Sequence, residues 1–147
     1  MTYEFFNLAY KLAKTAAAEN EVPVGAVIVK NNRVISSAAN RIISEHDAAA
    51  HAEIIAVRNA CKSLNNERLI DCDLYSTLEP CCMCTGAIIL ARMRTVYFLA
   101  FEEKLPALRK VIELPGHNHQ LKWQQQSFEA LPASQLLRDF FKNKRQK

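Results

Sequence analysis

The sequence predicts an α/β fold, in which helices pack on both faces of a mixed β-sheet. Helix-like and strand-like segments alternate along the 147 residues, and this order is typical of such layered folds. Half of the residues are hydrophobic, which is enough apolar surface for one buried core. Only 3 glycines and 5 prolines are present, so collagen-like and low-complexity structures are excluded. We therefore expect residues 1–147 to form a single domain.

The first half of the chain predicts two helices with a β-hairpin between them. Apolar residues recur at helical spacing over residues 4–18, which predicts an amphipathic first helix. The segment Val22–Lys30 is rich in β-branched residues and predicts a buried strand. A turn at Asn31-Asn32 predicts that Arg33–Ala39 returns as the second strand of the hairpin. Ala48–Lys62 then has the pattern of a second helix.

The second half predicts alternating strands and helices followed by a C-terminal helix. In chain order, we predict a strand over Asp73–Leu78, a helix over Cys81–Met93, a strand over Thr95–Ala100, a helix over Glu102–Glu113, a strand or extended segment over Leu121–Phe128, and a last helix that ends near Lys144. Pro80 and Pro106 suit the first turns of the helices that they open. Ser134 is a suitable cap for the last helix.

The excess of positive charge is concentrated at the C-terminus. The net charge is +4, from 19 lysines and arginines against 15 acidic residues. Four of the positive side chains fall within the last six residues: Lys142, Lys144, Arg145 and Lys147. The rest of the chain is balanced, so the sequence predicts a basic tail on a neutral body. Such a tail weakly favours an anionic partner.

The sequence also predicts a cytoplasmic protein without a membrane span. The longest apolar run, residues 22–29, is much shorter than the roughly 20 residues that a transmembrane helix needs. Glu4, Lys11, Lys14 and Glu19 place charges where a secretory signal needs an uncharged core. Of the five cysteines, three are crowded between positions 81 and 84. This odd, clustered set favours metal binding or catalysis over a disulfide framework.

Two short motifs carry the candidate chemistry: residues 51–53 (His-Ala-Glu) and residues 80–84 (Pro-Cys-Cys-Met-Cys). Cys81 and Cys84 lie three positions apart, on one face at the start of a predicted helix, where the helix dipole stabilises thiolates. Together with His51 they offer two sulfurs and one nitrogen. Three protein ligands leave the fourth tetrahedral position for water, which is the pattern of a catalytic zinc site. Zinc lowers the pKa of such a water to about 7.

The other residues of these motifs have different predicted roles. Glu53 lies in the first turn of a helix, where it can point into the same pocket without binding the metal and can move a proton. Cys82 is only two positions from Cys84, so it points to another helix face, and we predict a packed free thiol. Cys61 and Cys72 are most simply core or surface thiols. Alone, the C-x-x-C spacing also suits structural zinc or redox chemistry, and a lone histidine is usually structural.

The two motifs together match the H-x-E … P-C-x-x-C signature of zinc nucleobase deaminases. The wider sequence resembles the bacterial tRNA-specific adenosine deaminases, which convert adenosine to inosine at the anticodon wobble position. Residues 21–27, 51–54, 74–81 and 86–88 carry this resemblance, as does Phe140-Phe141 before the basic tail. The resemblance extends from about residue 4 to residue 145. It implies a cytidine-deaminase-like, three-layer α/β/α sandwich with a mixed five-stranded sheet, and a homodimer with an RNA site from both subunits.

The resemblance also implies roles for individual residues. His51, Cys81 and Cys84 would bind one Zn²⁺ per subunit, and Glu53 would shuttle protons. The implied substrate-binding residues are Asn40, Val24, Ala52, Asn118 and His119. The candidates for contacts with the RNA backbone of a tRNA anticodon stem-loop are Lys142, Lys144 and Arg145. The plainer alternatives are a turn asparagine at position 40, a core valine at position 24, ordinary loop residues at 118–119 and a solvated terminus.

Two segments depart from the family pattern. Residues 98–108 lack the glycines usual there and are a few residues shorter, and residues 47–50 replace a more usual Asp-Pro-Thr-Ala. Glycines permit close backbone approach, so their loss should reshape one wall of the RNA groove. Three functions therefore stay open. They are a tRNA adenosine deaminase, a deaminase of free guanine, cytosine or cytidine whose pocket residues 98–108 close, and a non-enzymatic zinc-stabilised or RNA-binding module.

Overall fold

A five-stranded mixed sheet forms the middle layer of the structure, a computed structural model that describes residues 2–145. In chain order the elements are α1 (Thr2–Ala18), β1 (Gly25–Lys30), β2 (Arg33–Ala39), α2 (Ala52–Leu64), β3 (Cys72–Leu78), α3 (Cys82–Leu90), β4 (Thr95–Ala100), α4 (Leu108–Val111), β5 (Lys122–Gln125) and α5 (Ala133–Arg145). The strand order is β2-β1-β3-β4-β5. Strand β1 is antiparallel to both neighbours, whereas β3, β4 and β5 are parallel. The predicted mixed sheet is confirmed.

Helices cover both faces of this sheet, which confirms the three-layer sandwich. Because side chains alternate along a strand, Val27 of β1 faces a core shared with α1 and α5, whereas Ile28 faces a core shared with α2, α3 and α4. The hairpin turn is also as predicted, since Asn31 and Asn32 both adopt positive φ angles, which this tight turn requires. Among the helices of the described part, none is long and apolar enough to cross a membrane.

Helix α1 lies unusually close to the sheet because its buried face carries small residues. Ala9 and Ala13 are fully buried there and approach Gly25 at the start of β1. A Cβ atom on Gly25 would overlap the carbonyl oxygen of Ala9 and touch the amide nitrogen of Ala13. The same glycine donates its N–H to the Thr77 hydroxyl at 3.1 Å. The missing side chain at Gly25 therefore allows α1 to pack directly against the start of β1.

Replacing Gly25 with alanine should lower the free energy of unfolding by about 3 kcal/mol, because the overlap with backbone atoms forces α1 away from the sheet. Urea denaturation of the purified protein measures this loss. Ser37→Ala on strand β2 is the control, since this side chain is exposed and its loss should change stability by less than about 0.5 kcal/mol. Equal stability of the two variants would contradict this account of the packing.

Several predicted boundaries are wrong by a few residues, for reasons visible in the structure. Strand β1 begins at Gly25 and not at Val22, because the Val24 N–H donates to the Val22 carbonyl in a tight turn around Pro23 and so does not join the sheet ladder. Helix α2 begins at Ala52 and not at Ala48, since residues 47–51 form turns that hold the loop. Ser134 lies inside α5, which begins at Ala133, so it is not the predicted cap. The ambiguous segment over 121–128 contains strand β5 at its centre.

The predicted helix over Glu102–Glu113 is wrong for most of its length. Only Leu108–Val111 is helical, and Pro106 precedes that turn instead of standing in it. The residues before it are held by bonds to the start of α3: Ala107 forms an isolated bridge with Cys81, and the Pro106 carbonyl accepts the Cys82 N–H at 2.9 Å. These long-range bonds satisfy backbone groups that a local helix would otherwise use.

Candidate metal centre

His51 is presented by a loop that the structure fixes at several points. It is the N-cap of α2, with an extended backbone at φ −69° and ψ 149°. Before it, the Asp47 carboxylate accepts the Ala49 N–H at 2.9 Å, and the buried Glu21 carboxylate accepts two backbone N–H groups of residues 43–44. After it, the Ala52 N–H donates to the Asn40 side-chain oxygen at 2.6 Å. The position of His51 is therefore set on both sides.

The two cysteines lie at the start of a second helix. Cys81 is the N-cap of α3, with an extended backbone at φ −70° and ψ 176°, and Cys84 lies in the first turn. Pro80 comes immediately before this cap and outside the helix, not in its first turn. The Thr85 N–H donates to the Cys81 carbonyl at 2.9 Å, so the turn is closed. Two helix N-termini thus converge on one point, where their dipoles favour negative charge on sulfur.

The three side chains meet with the spacing of a tetrahedral metal site. The Nδ1 atom of His51 lies 3.6 Å from Sγ of Cys81 and 3.5 Å from Sγ of Cys84, and the two sulfurs are 3.7 Å apart. Usual zinc bond lengths at tetrahedral angles separate two sulfurs by about 3.8 Å and a sulfur from a nitrogen by about 3.6 Å. The donor set and its geometry therefore fit Zn²⁺. This group is also the one His/Cys/Asp/Glu cluster of metal-binding size in the part of the chain described here.

Hydrogen bonds within the cluster shift the pKa values of its three side chains. The hydrogen bond from Cys84, with that of His51, lowers the pKa of Cys81 to about 4 despite burial. The hydrogen bond with Cys81 raises the pKa of His51, and the same contact together with burial raises that of Cys84. A thiolate at Cys81 is thus present at neutral pH. Metal binding requires deprotonated ligands, so a cation would displace the remaining protons.

Glu53 is buried beside this cluster and is only partly satisfied. Its Oε1 atom has no hydrogen-bond partner in the described chain, which is rare for a buried carboxylate and marks a place for a ligand atom. Burial raises the pKa of Glu53 to about 7. A carboxyl group with such a pKa exchanges a proton readily near neutral pH. The structure therefore places a buried carboxyl group next to the candidate ligands, and its role in proton transfer stays a prediction.

Three of the predicted substrate-binding residues are joined by hydrogen bonds next to His51. Asn40 is buried, and its side-chain oxygen is occupied by the Ala52 N–H, so its side-chain N–H₂ group is left to donate. The Val24 carbonyl accepts the Asn40 N–H at 3.2 Å, and the Val24 side chain lies in the core shared with α2. Ala52 is fully buried. Their contacts with substrate stay predictions, and Asn40 alone of the three has a polar side chain to offer.

Asn118 and His119 lie away from the metal cluster of the same chain. The Nε2 atom of His119 is 2.6 Å from the Met93 carbonyl. Met93 precedes β4 and His119 precedes β5, so this contact lies at the end of the sheet where these two parallel strands begin. The cysteines follow the opposite end of β3, about six residues, or roughly 20 Å, away along the strands. Asn118 is exposed. A role of this pair in RNA binding stays a prediction.

The helix that carries the basic tail contacts residues 101–109, the segment that flanks the cysteines. Lys142, Lys144 and Arg145 are exposed on the last turn of α5, and Lys147 lies outside the described residues. On the preceding turn, the Phe141 ring lies 4.1 Å from the ammonium nitrogen of Lys104. The end of α5 therefore lies against residues 101–109.

Within its own chain, Cys82 is not the packed thiol that the sequence predicts. Cys82 is exposed, because the outer face of α3 meets no other element of the described chain. The direction of the side chain is as expected, away from the cluster formed by Cys81 and Cys84. Cys72 is buried and Cys61 is half-buried, which agrees with their reading as ordinary thiols.

Sequence reasoning missed the role of Glu79. Its carboxylate is fully buried and accepts the Glu102 N–H and the Arg109 N–H, each at 3.1 Å. It also forms an ion pair with the Arg109 guanidinium at 3.0 Å. Glu79 thus binds both ends of residues 101–109, which form one wall beside the cysteines. An acidic residue between a buried strand and Pro80 was the available signal, since a charge there needs partners.

Comparison with known proteins agrees with this geometry. Residues 2–100 match the family described as the cytidine and deoxycytidylate deaminase zinc-binding region. A tRNA-specific adenosine deaminase of Aquifex aeolicus (strain VF5) is 42% identical over 144 residues, which cover 96% of this chain and 94% of that protein.

Solved structures show the same relationship. A structure from studies of A-to-I editing by tRNA:A34 deaminases at the wobble position of transfer RNA superposes with a TM-score of 0.86 and 37% identity, covering 92% of this chain and 99% of that one. A guanine deaminase from Bacillus subtilis superposes with a TM-score of 0.67 and 32% identity, covering 99% and 94%. The chain belongs to the cytidine and deoxycytidylate deaminase family and, within it, to the tRNA-specific adenosine deaminases.

Proposed function

We propose that this protein is a zinc-dependent hydrolase that deaminates adenosine to inosine at the wobble position of tRNA anticodons. The observation that carries the proposal is the buried, unpartnered carboxylate oxygen of Glu53 beside a tetrahedrally spaced His51, Cys81 and Cys84. Relatives of about 40% identity over nearly the whole chain are tRNA-specific adenosine deaminases, which supports the choice of substrate.

The pocket residues divide the chemistry among them. His51, Cys81 and Cys84 would hold the Zn²⁺, which when bound would supply a Lewis acid that makes water nucleophilic at neutral pH. The Glu53 carboxylate takes one proton from the attacking water and delivers it to a ring nitrogen of the base. It then takes the remaining proton from the new hydroxyl group on C6 and gives it to the departing amine as the C–N bond breaks. Attack at C6 of the flipped adenine and loss of ammonia give inosine. Asn40 donates from its side-chain N–H₂ group to the flipped nucleotide, and Val24 and Ala52 line the pocket.

The C-terminal charges are proposed to bind the RNA backbone. Lys142, Lys144 and Arg145 project from the end of α5, and the contact of Phe141 with Lys104 attaches that helix to the wall of the zinc pocket. Single-stranded anticodon loops suit such a site, because their bases can leave the stack at low cost. Asn118 and His119 lie too far from the pocket of their own chain, so we assign their RNA contacts to a more distant part of the stem-loop or to the other subunit.

Deletion of residues 142–147 should raise KM for an anticodon stem-loop by about tenfold near 0.1 M salt, because phosphate contacts are lost. Zinc content and kcat should stay near normal, since the described residues of this segment, 142–145, touch neither Glu53 nor the candidate ligands. Steady-state kinetics at several salt concentrations measures the effect, and the salt dependence should become shallower by about 0.7 for each lost contact. An unchanged RNA affinity would exclude the tail from binding.

We also propose a homodimer, with the outer face of α3 in the interface. Leu90 on this face is 75% exposed, and Met83 and Cys82 are exposed beside it. An apolar helix face without a partner in its own chain is typical of a subunit interface. Because α3 also carries Cys84, a second copy on this face would lie next to the zinc pocket. The dimer would then present one Zn²⁺ in each subunit.

A cytoplasmic location is part of the same proposal. The proposed substrate, tRNA, is also used by the ribosome in the cytoplasm.

Deamination of a free base is the second candidate function. The short, glycine-free segment over residues 98–108 favours it, since a tighter wall suits a small ligand, and a guanine deaminase is 32% identical in sequence. The deciding experiment incubates the zinc-loaded protein with an adenosine-containing anticodon stem-loop and, separately, with guanine, cytosine and cytidine. Inosine in RNA, with a rate that falls as salt rises, supports the first function. Ammonia from a free base alone supports the second, and no turnover of any substrate supports a non-enzymatic zinc module.

A further inference from the structure

An open groove lies between helix α2 and β2, the outermost strand of the sheet, and the proposed function leaves it unused. Its volume is about 430 Å³. This α2–β2 groove is lined by residues 37–39 of β2, by Arg41 and Glu45 of the following loop, and by Ile55, Arg58, Asn59 and Lys62 of α2. The Ser36 hydroxyl donates to the Ala56 carbonyl at 2.7 Å, so a buried hydrogen bond joins the strand to the helix. The groove is therefore a fixed feature of the fold.

The lining of the α2–β2 groove has an excess of positive charge. Of its four charged side chains, Arg41 and Glu45 form an exposed ion pair at 3.0 Å, so their charges cancel. Arg58 and Lys62 are exposed, and neither forms an ion pair with another side chain in the described part of the chain. The helix dipole accounts for a cation in the last turn of α2, such as Lys62, but not for Arg58 in the middle of the helix. Two positive charges are therefore left for an anion.

The α2–β2 groove begins next to the candidate metal centre. The Ile55 N–H donates to the His51 carbonyl at 3.0 Å, so Ile55 lies one helical turn from this candidate ligand. Arg41, on the other wall, directly follows Asn40, whose side-chain oxygen accepts the first N–H of α2. Between Ile55 and Lys62 the helix rises by about 10 Å, which extends the groove away from the pocket. A nucleotide chain that leaves the pocket past Asn40 would thus enter this groove.

We propose that the α2–β2 groove binds the phosphate backbone of the RNA next to the edited adenosine. This inference rests on the proposed function. Arg58 and Lys62 supply the charge-assisted hydrogen bonds that phosphate oxygens accept, and Asn59 supplies a neutral donor. The apolar part of the lining is limited to Ile55 and two alanines, whereas a groove for a protein partner would offer aromatic or larger apolar anchors. Helix α5, which carries the basic tail, packs on the other face of the sheet, so the two RNA contacts are separate.

The test replaces both free cations, as Arg58→Gln with Lys62→Gln, in the zinc-loaded enzyme. This double variant should raise KM for the anticodon stem-loop about tenfold near 0.1 M salt, and the salt dependence should become shallower by about 1.4, because two phosphate contacts are lost. Zinc content and kcat should stay near normal. The matched control is Lys11→Gln with Lys14→Gln, which removes the same charge from exposed positions of α1, on the other face of the sheet. Its KM should stay within about twofold of wild type.

Neutral linkages in the RNA identify the contacted phosphates directly. A set of stem-loops carries, one at a time, a methylphosphonate in place of each phosphate that flanks the target adenosine, with the same 2′-O-methyl nucleotide and a normal phosphate as reference. At a contacted position, the neutral linkage should raise KM of wild type about threefold. It should have little further effect on the Arg58 and Lys62 double variant, because the contact is already absent. The Lys11 and Lys14 variant should respond like wild type.

Each other outcome has a definite meaning. If wild type forms inosine but the Arg58 and Lys62 variant keeps the same KM, the groove is excluded from RNA binding and the proposed function stands. Equal loss in both double variants would show an effect of net charge alone, and the proposal would be wrong. The same holds if the Arg58 and Lys62 variant becomes monomeric in sedimentation, since the groove would then belong to a subunit interface. If wild type neither binds nor deaminates the stem-loop, both proposals fail.

Discussion

Glu53→Gln should lower kcat on an anticodon stem-loop by at least about 10³-fold while the protein keeps its zinc. The glutamine has the shape of Glu53 but cannot accept and return a proton, and a positioned general acid–base group contributes about 10²–10⁴-fold. The buried, unpartnered Oε1 atom beside the candidate ligands is the observation behind this prediction. Rates of inosine formation, together with zinc analysis of the same sample, measure the effect.

The zinc content decides how this variant is interpreted. Glu53→Ala, which removes the carboxyl group altogether, should behave in the same way, with zinc retained and turnover lost. If either variant loses its zinc, Glu53 is a ligand or a structural support, and the proposed proton transfer is not tested by the loss of rate alone. Retained zinc with retained activity would remove Glu53 from the mechanism.

Cys84→Ser should weaken zinc binding by more than about 100-fold, whereas Cys82→Ser should leave it near normal. Cys84 is fully buried, with its sulfur 3.5 Å from His51 Nδ1 and 3.7 Å from the Cys81 sulfur. Cys82 is exposed on another face of α3. Serine nearly preserves the volume of each side chain, so a packing defect does not explain a difference. Metal analysis after dialysis against a mild chelator separates the two variants.

The pair of serine variants also tests the choice of ligands. Because the two cysteines are two positions apart on one short helix, any general damage to α3 would affect both variants alike. Equal loss of zinc from both would therefore overturn the assignment of Cys81 and Cys84 as the ligand pair. Loss from Cys82→Ser alone would require the helix to begin in another register.

Local patterns predicted much of the fold and the centre of the site. The β-branched run before Asn31-Asn32 specified a hairpin, because the turn residues and the strand residues agree with each other. The spacing of His51, Cys81 and Cys84 predicted a cluster, since each stands where a helix begins. Such features depend on a few neighbouring residues, so a sequence can show them without knowledge of distant contacts.

The features that failed depend on contacts between distant segments. Residues 102–107 have a helical pattern, but Glu79 and Cys82 take their backbone groups into other hydrogen bonds. Cys82 was expected to be packed, yet the outer face of α3 has no covering element within the described residues. Neither fact is encoded near the residue concerned. Glu79 was overlooked as a clamp for the same reason, because its partners lie 23 and 30 positions away.

The hydrogen bonds of Glu79 divide residues 101–109, the wall beside the cysteines, into positions that can vary in number and positions that cannot. They fix Glu102 and Arg109, and the Pro106 carbonyl and Ala107 are bonded to the start of α3. Residues 103–105, between these attachments, are exposed. Insertions or deletions there would alter the mouth of the pocket without displacing the metal ligands. Changes at these three positions could therefore alter which substrate the protein accepts, while the metal ligands and Glu53 stay in place.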